Sequence, residues 1–197
     1  MPQGKQAKTL TPRQETAVFK FLETTRYPTR DRAMFLLSIK AGLRAKEISS
    51  LTWDMITHAD GQVGDAIALQ NRASKGKGGG RTIPLNAVLR QELERLHAER
   101  GAAVQPGRPV IYSERGGGLT ANTVTVWFHT LYHTLGLTGC SSHSGRRTFI
   151  TRAAKKVVEA GGSLRDVQQL AGHSSLSMTQ RYIEGDSDAK RKLVNLL

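Results

Sequence analysis

The chain has 197 residues, 38% of them hydrophobic, and 29 lysines and arginines against 16 acids give it a formal charge of +13. That size supports one domain or two small ones, and that charge directs the chain toward polyanions, nucleic acid ahead of an anionic membrane. A single cysteine, Cys140, excludes an internal disulfide framework and a thiolate zinc site. It also fits a reducing compartment, the cytoplasm or nucleoid. The start MPQGKQAKTL is not a signal peptide, and no apolar run is long enough to span a bilayer as a helix.

Residues 1–10 are polar and expected to be flexible. TPRQETAVFKFLE predicts a helix with Thr11 as N-cap, Pro12 at the first helical position and Gln14 closing a capping box. A second helix follows from about Thr29, with Ala33, Leu36, Leu37 and Ala41 on one face and Gly42 just past its end. RAKEISSLTW reads as a short helix. DAIALQNR and GRTIPL then read as strands around a flexible glycine–lysine loop, ASKGKGG. NAVLRQELERLHAER is helical, with apolar positions Val88, Leu89, Leu93 and Leu96, and RPVIYS is extended. TANTVTVWFHTLYHTLG is a helix capped by Thr120 or Asn122.

The last third is helical again. HSGRRTFITRAAKKVVEAGG ends at a glycine pair, and SLRDVQQLAG carries a Ser163/Asp166 capping box and stops at Gly172. SSLSMTQRYIEG runs to Gly185. The tail repeats Ala189, Leu193 and Leu197 at four-residue spacing. The pattern predicts a mainly α, α+β chain with a small antiparallel sheet near its middle. Its segments are a flexible start (1–10), a main domain (11–185) and a tail helix (186–197).

Seven residues are candidates for chemistry. Arg44 lies after the Gly42 break where a helix begins, so an anion there meets both helix N–H groups and a guanidinium fork. A single arginine, however, is most often a solvated surface residue. His143 and Arg146 are three apart and share a helix face. The imidazole can take a proton and the guanidinium can hold two phosphate oxygens. The plain alternative is a capping histidine beside solvated arginines, and Arg147, Arg152, Lys155 and Lys156 extend the same positive run.

His173 sits in the turn after Gly172. Tyr182 follows nine residues later, about two turns into a helix capped by Ser174 or Ser175. A phenol of pKa about 10 is a poor nucleophile at neutral pH. Neighbouring arginines favour its phenolate and a histidine can position it; a half-buried core tyrosine is the ordinary reading. Lys75 and Lys77 stand on the glycine-rich loop, where a lysine can reach a leaving oxygen, though the loop is not a P-loop. His129 and His133 are one helical turn apart, but with no H-E-x-x-H glutamate and no third ligand in register, no metal is expected.

In order and spacing, Arg44, Lys75, His143, Arg146, His173 and Tyr182 resemble the catalytic domain of tyrosine recombinases, the phage integrase family, over about residues 11–185. AGLRAKEISSLTW resembles the first-arginine segment, including Glu47, expected to be structural. HSGRRTFIT resembles the H-x-x-R segment, with Gly-Arg-Arg where the family more often has Leu-Arg-His. LAGHSSLSMTQRYIE resembles the histidine-to-tyrosine segment. The glycine-rich loop is one residue longer than the usual pattern, which favours Lys75 and leaves Lys77 as the alternative.

The resemblance implies that Tyr182 attacks a phosphodiester of double-stranded DNA, forming a 3′-phosphotyrosine and releasing a 5′-hydroxyl. It implies Arg44 and Arg146 on the phosphoryl oxygens and His173 donating to one of them. His143 accepts the tyrosine proton and Lys75 protonates the leaving oxygen. No metal or nucleotide cofactor is implied. It further implies a homotetramer on DNA, a monomer when free, and a tail docked on a neighbouring protomer or on its own domain. Family members usually carry an N-terminal DNA-clamp domain. A chain starting almost directly at the catalytic domain is expected to be a fragment or a minimal member, binding DNA weakly and in a salt-sensitive way. Type IB topoisomerase-like relaxation and a non-catalytic DNA-binding module of the same fold are the rival readings.

Overall fold

Seven consecutive residues, Ala33 through Ile39, are buried in the middle of helix α2 (Pro28–Lys40). A helix apolar on all sides must be surrounded on all sides. In the computed structural model, which describes residues 6–70 and 80–182, α2 packs against α1 (Pro12–Leu22), α3 (Ala45–Ser49) and α4 (Ala87–Arg100). The single apolar face expected from Ala33, Leu36 and Leu37 is therefore only part of what α2 buries. The chain forms two compact units, Met1–Phe149 and Ile150–Leu197.

In the first unit, α1 begins as its sequence dictates. Gln14 N donates to Thr11 Oγ1 (3.3 Å) and Thr11 N donates to Gln14 Oε1 (2.9 Å), closing the capping box. The residues just before it make contacts with the rest of the unit. Lys8 N donates to the Gly139 carbonyl (3.0 Å), and Leu10 is buried with its N–H on Thr148 Oγ1 (2.8 Å).

Strands β1 (Ala66–Leu69) and β2 (Arg81–Pro84) pair antiparallel, Ala66 opposite Pro84 and Leu69 opposite Arg81. Ile67, Leu69 and Ile83 point into the core, as the period-two pattern requires. Gly80 leads into β2 where a Cβ would lie 2.1 Å from the Leu69 carbonyl oxygen, so only glycine fits. Helix α4 buries Leu89, Leu93 and Leu96 together with Glu92, while Val88 faces solvent at 51% exposure. RPVIYS is extended, with Val110 N on the Leu51 carbonyl (2.9 Å) and single bridges at Pro109 and Tyr112. Thr120, rather than Asn122, caps α5 (Ala121–Thr134), which packs on α3 and buries Val124, Phe128, Leu131 and Tyr132.

Helix α6 (Ser144–Lys156) runs across the boundary and stops before the glycine pair, with Val157 to Gly161 forming turns. The second unit continues with α7 (Leu164–Ala171), capped by Ser163 and Asp166 and ended by a left-handed Gly172 at φ 59°. Helix α8 (Leu176–Gln180) is shorter than expected, because Tyr182 N bonds to the Thr179 carbonyl (3.0 Å) in a tightened final turn. Tyr182 therefore follows the helix instead of lying two turns inside it. The expected Gly185 end, the Ala189/Leu193/Leu197 stripe, Lys75 and Lys77 lie outside the described residues. Among the described residues no helix is long and apolar enough to cross a membrane.

Candidate active site

The chain leaves α2 through Gly42, and two constraints make that residue glycine. Its φ is +65°, and a Cβ would stand 2.4 Å from Cδ1 of Phe149. Its carbonyl accepts a bond from Arg146 Nη1 (2.6 Å), which ties α6 to the end of α2. Two residues on, Arg44 is the N-cap of α3, and Glu47 at the third helical position reaches back to its backbone N–H (2.8 Å).

Glu47 is the hub of the first unit's charge. Only 1% of its side chain is exposed. Arg81 presents a fork to it, Nη1 to Oε1 at 2.8 Å and Nη2 to Oε2 at 3.1 Å. Arg44 Nη1 donates to Oε1 at 3.0 Å, and Arg146 Nη1 stands 4.0 Å from Oε2. One carboxylate thus meets three guanidinium groups. Burial pushes the Glu47 carboxyl up, but the hydrogen bonds and charges of Arg81 and then Arg44 outweigh it, and its pKa lies below the ordinary glutamate value.

A depressed folded-state pKa stabilises the fold above the unfolded glutamate pKa of about 4.3, and that contribution disappears as pH falls through the folded value. Replacing Glu47 by alanine leaves buried guanidinium groups without their anion. It is expected to cost about 3–5 kcal/mol, read as a fall in the denaturant midpoint.

The start of helix α6 lies against α2 at contact distance. A Cβ at Gly145 would lie 2.4 Å from Ser38 Oγ and 2.9 Å from Ser38 Cβ. Glycine, where a leucine is more usual in this motif, is the residue this crossing admits. The crossing sets His143 just ahead of the helix and Arg146 in its first turn. The His143 ring is open to solvent, with Nδ1 3.4 Å from Ser142 Oγ. Partial loss of hydration, then the charges of Arg146 and Arg44, lower its pKa below the usual value. Its neutral form, a proton acceptor, therefore predominates at neutral pH.

In the second unit, the left-handed Gly172 turns the chain so that His173 is buried. His173 Nδ1 lies 2.9 Å from Oγ1 of Thr179, itself fully buried on α8. The backbone is fixed from both sides: His173 N donates to the Gln168 carbonyl (3.1 Å), and Gln168 Nε2 donates to the His173 carbonyl (3.1 Å). The Tyr182 ring stacks on the imidazole, centroids 5.5 Å apart and planes at 21°. Arg44, His143 and Arg146 thus belong to one unit and His173 and Tyr182 to the other.

Arg81, Thr179 and Gln168 are partners that sequence reasoning missed. The one available signal was an arginine opening an otherwise β-type run, a charge in need of a partner. His129 and His133 stack in parallel, 6.2 Å apart, on the exposed side of α5. Among the described residues no three His, Cys, Asp or Glu side chains converge as metal ligands.

Solved structures with this architecture define the class. The XerA recombinase matches with a TM-score of 0.75 at 18% identity, over 98% of this chain and 66% of that one. The Tn1549 transposon integrase in complex with transposon right end DNA matches at 0.71 and 22% identity, over 99% and 67%. The shared fold is that of tyrosine recombinase catalytic domains. The phage integrase family model matches residues 8–188, and the chain belongs to that family. Among its relatives are the tyrosine recombinases XerD of Pseudomonas putida, 33% identical over 78% of this chain, and XerC of Myxococcus xanthus, 32% identical over 79%. The chain spans about half the length of these curated relatives, 49% and 50% respectively.

Proposed function

We propose that this chain supplies the catalytic centre of a site-specific DNA recombinase. The observation that carries the reading is the buried Glu47 surrounded by Arg44, Arg81 and Arg146. A cluster of guanidinium groups suits a phosphodiester whose non-bridging oxygens gain charge in the transition state. Arg44 and Arg146 hold those oxygens, each as a planar fork. His173, oriented by Thr179, donates to one of them.

Tyr182 Oη attacks phosphorus in line. The new bond joins phosphorus to the phenol oxygen, and the bond to the 5′ oxygen breaks. The phenol proton passes to neutral His143, whose lowered pKa supports that role. Lys75, or Lys77 in its place, gives a proton to the leaving oxygen. The phosphotyrosine ester conserves the energy of the broken bond, so a 5′-hydroxyl from a second strand can reverse the step and reseal DNA without a nucleotide. Residues 11–185 serve as the catalytic segment. Residues 186–197 dock on a neighbouring protomer within a tetramer assembled on double-stranded DNA, in a nucleoid-associated setting.

A pool of duplexes randomised around a nick tests the reading. Cleavage beside the nick releases a short fragment and traps the protein on DNA. An SDS-resistant complex that forms equally in EDTA is expected, together with strand joining between two duplexes. No complex from the whole pool indicates a binding module without catalysis. Plasmid relaxation with no joining between duplexes indicates a topoisomerase.

A further inference from the structure

We propose that Ser38 and Gly145 are a matched pair of positioning residues. Their contact sets how closely the first turn of α6 approaches α2, and so holds Arg146 where a phosphate needs it. The inference rests on the recombinase reading. Its geometric basis is a run of close approaches between α6 and residues 38–42. A Cβ on Gly145 would lie 2.4 Å from Ser38 Oγ, 2.9 Å from Ser38 Cβ and 3.3 Å from the Ser38 carbonyl carbon. One residue on, Arg146 Nη1 donates to the Gly42 carbonyl at 2.6 Å. Three residues further, the Phe149 ring fills the place of a side chain on Gly42, with Cδ1 2.4 Å from where that Cβ would stand.

Both members of the pair are unfavourable by local rules. Ser38 is fully buried, and its hydroxyl has no hydrogen-bond partner among the described residues. A buried hydroxyl left unpaired costs stability that alanine would not lose. Gly145 lies inside α6, where glycine is the poorest helix former apart from proline. These two local costs meet at one contact. The Ser38 side chain occupies the space that a side chain at position 145 would need, and the absence of that side chain lets α6 come close. What the pair fixes is a distance.

That distance bears on catalysis because Arg146 is the next residue on the same turn. A Cβ at position 145 meets Ser38 Cβ and backbone, which cannot swing aside as the end of a long side chain can. The first turn of α6 must then move off α2 and carry Arg146 with it. The displacement is one of backbone, so it acts whatever else the guanidinium touches. His143 moves too, since its carbonyl accepts the Arg147 N–H of that turn at 2.8 Å. A donor misplaced by about 1 Å from its transition-state position loses about 10²-fold in rate.

The test is a double-mutant cycle of wild type, G145A, S38G and S38G/G145A. Its readouts are single-turnover cleavage of a nicked duplex at saturating protein, Kd for DNA, and the Arg146 guanidinium signal by 15N NMR in the absence of DNA. G145A is expected to cleave about 10²-fold more slowly, shift that signal and leave Kd unchanged. S38G removes the two Ser38 atoms nearest the added Cβ and leaves the carbonyl carbon at 3.3 Å. In that background G145A should cost less than about threefold in rate, with the signal back toward its S38G position. Recovery through S38G speaks for position and against lost stability, because a glycine inside α2 itself weakens the helix. A wild-type rate for G145A, an equal loss in both backgrounds, or a loss confined to Kd overturns the proposal. If G145A is unfolded at the assay temperature, S38C decides, since its larger sulfur presses on Gly145 more gently than an added Cβ. A slower rate in S38C at unchanged Kd upholds the proposal, and a wild-type rate overturns it. If the wild type itself never cleaves DNA, the recombinase reading fails, and the guanidinium signal still tests the contact. A signal displaced in G145A and restored in S38G/G145A upholds the positioning of Arg146, and an unmoved signal overturns it.

Discussion

Tyr182→Phe is expected to abolish the covalent protein–DNA complex while leaving DNA affinity intact. The substitution removes one oxygen and nothing else. The ring that stacks on His173 at 5.5 Å remains, as does the backbone bond from Tyr182 N to the Thr179 carbonyl. A tyrosine that only fills space would tolerate phenylalanine with little change in activity. A nucleophile cannot, since no other atom of the side chain can form a bond to phosphorus. The contrast is read by incubating both proteins with a nicked duplex, separating covalent from free protein in SDS, and measuring Kd in parallel. Loss of the complex below detection at unchanged Kd is the expected outcome.

Lysine at position 44 or 146 is expected to slow cleavage by about 10²–10³-fold, the scale for removing one preorganised donor from a developing oxyanion. Charge is conserved in both variants, so a role in simple electrostatic attraction predicts almost no effect. The fork is what is lost. At position 146 the change also removes the 2.6 Å bond to the Gly42 carbonyl, which sets the side chain's direction. Arg146→Lys should therefore be the more severe of the two. Saturating single-turnover rates carry the effect if the forks act in the transition state; a change confined to Kd would assign them to ground-state binding instead.

What could be read from the sequence was what local rules determine. The Thr11–Gln14 box, Pro12, the Ser163–Asp166 box and the left-handed Gly42 and Gly172 are decided within a few residues, and each stands where those rules put it. The two strands follow from short runs of alternating pattern on either side of a glycine-rich segment. Features fixed by distant partners were not legible. Arg81 meets Glu47 across 34 residues of chain. Gly145 is explained only by Ser38, which α2 brings against it. Val88 belongs to an apolar series yet faces solvent, because the buried stripe of α4 runs through Leu89, Glu92, Leu93 and Leu96. Tyr182 leaves the helix because the last turn of α8 tightens, a choice that propensity does not decide. Thr179, a hydroxyl in a short helix, gains its meaning from a histidine in the preceding turn.

The candidate site divides in the same way. Arg44, His143, Arg146, His173 and Tyr182 were legible as types at a spacing. The carboxylate that organises the arginines was legible only as a structural residue. Its three-way contact depends on α3, β2 and α6 meeting, which no single segment encodes.

The most direct measurement is to digest the trapped complex with nuclease and trypsin and locate the attached nucleotide by mass spectrometry. The predicted result is a nucleotide joined through its 3′-phosphate to the oxygen of Tyr182, in the peptide that follows Arg181. A nucleotide on any other side chain, or one joined through a 5′-phosphate, would contradict the assignment of Tyr182 as the nucleophile.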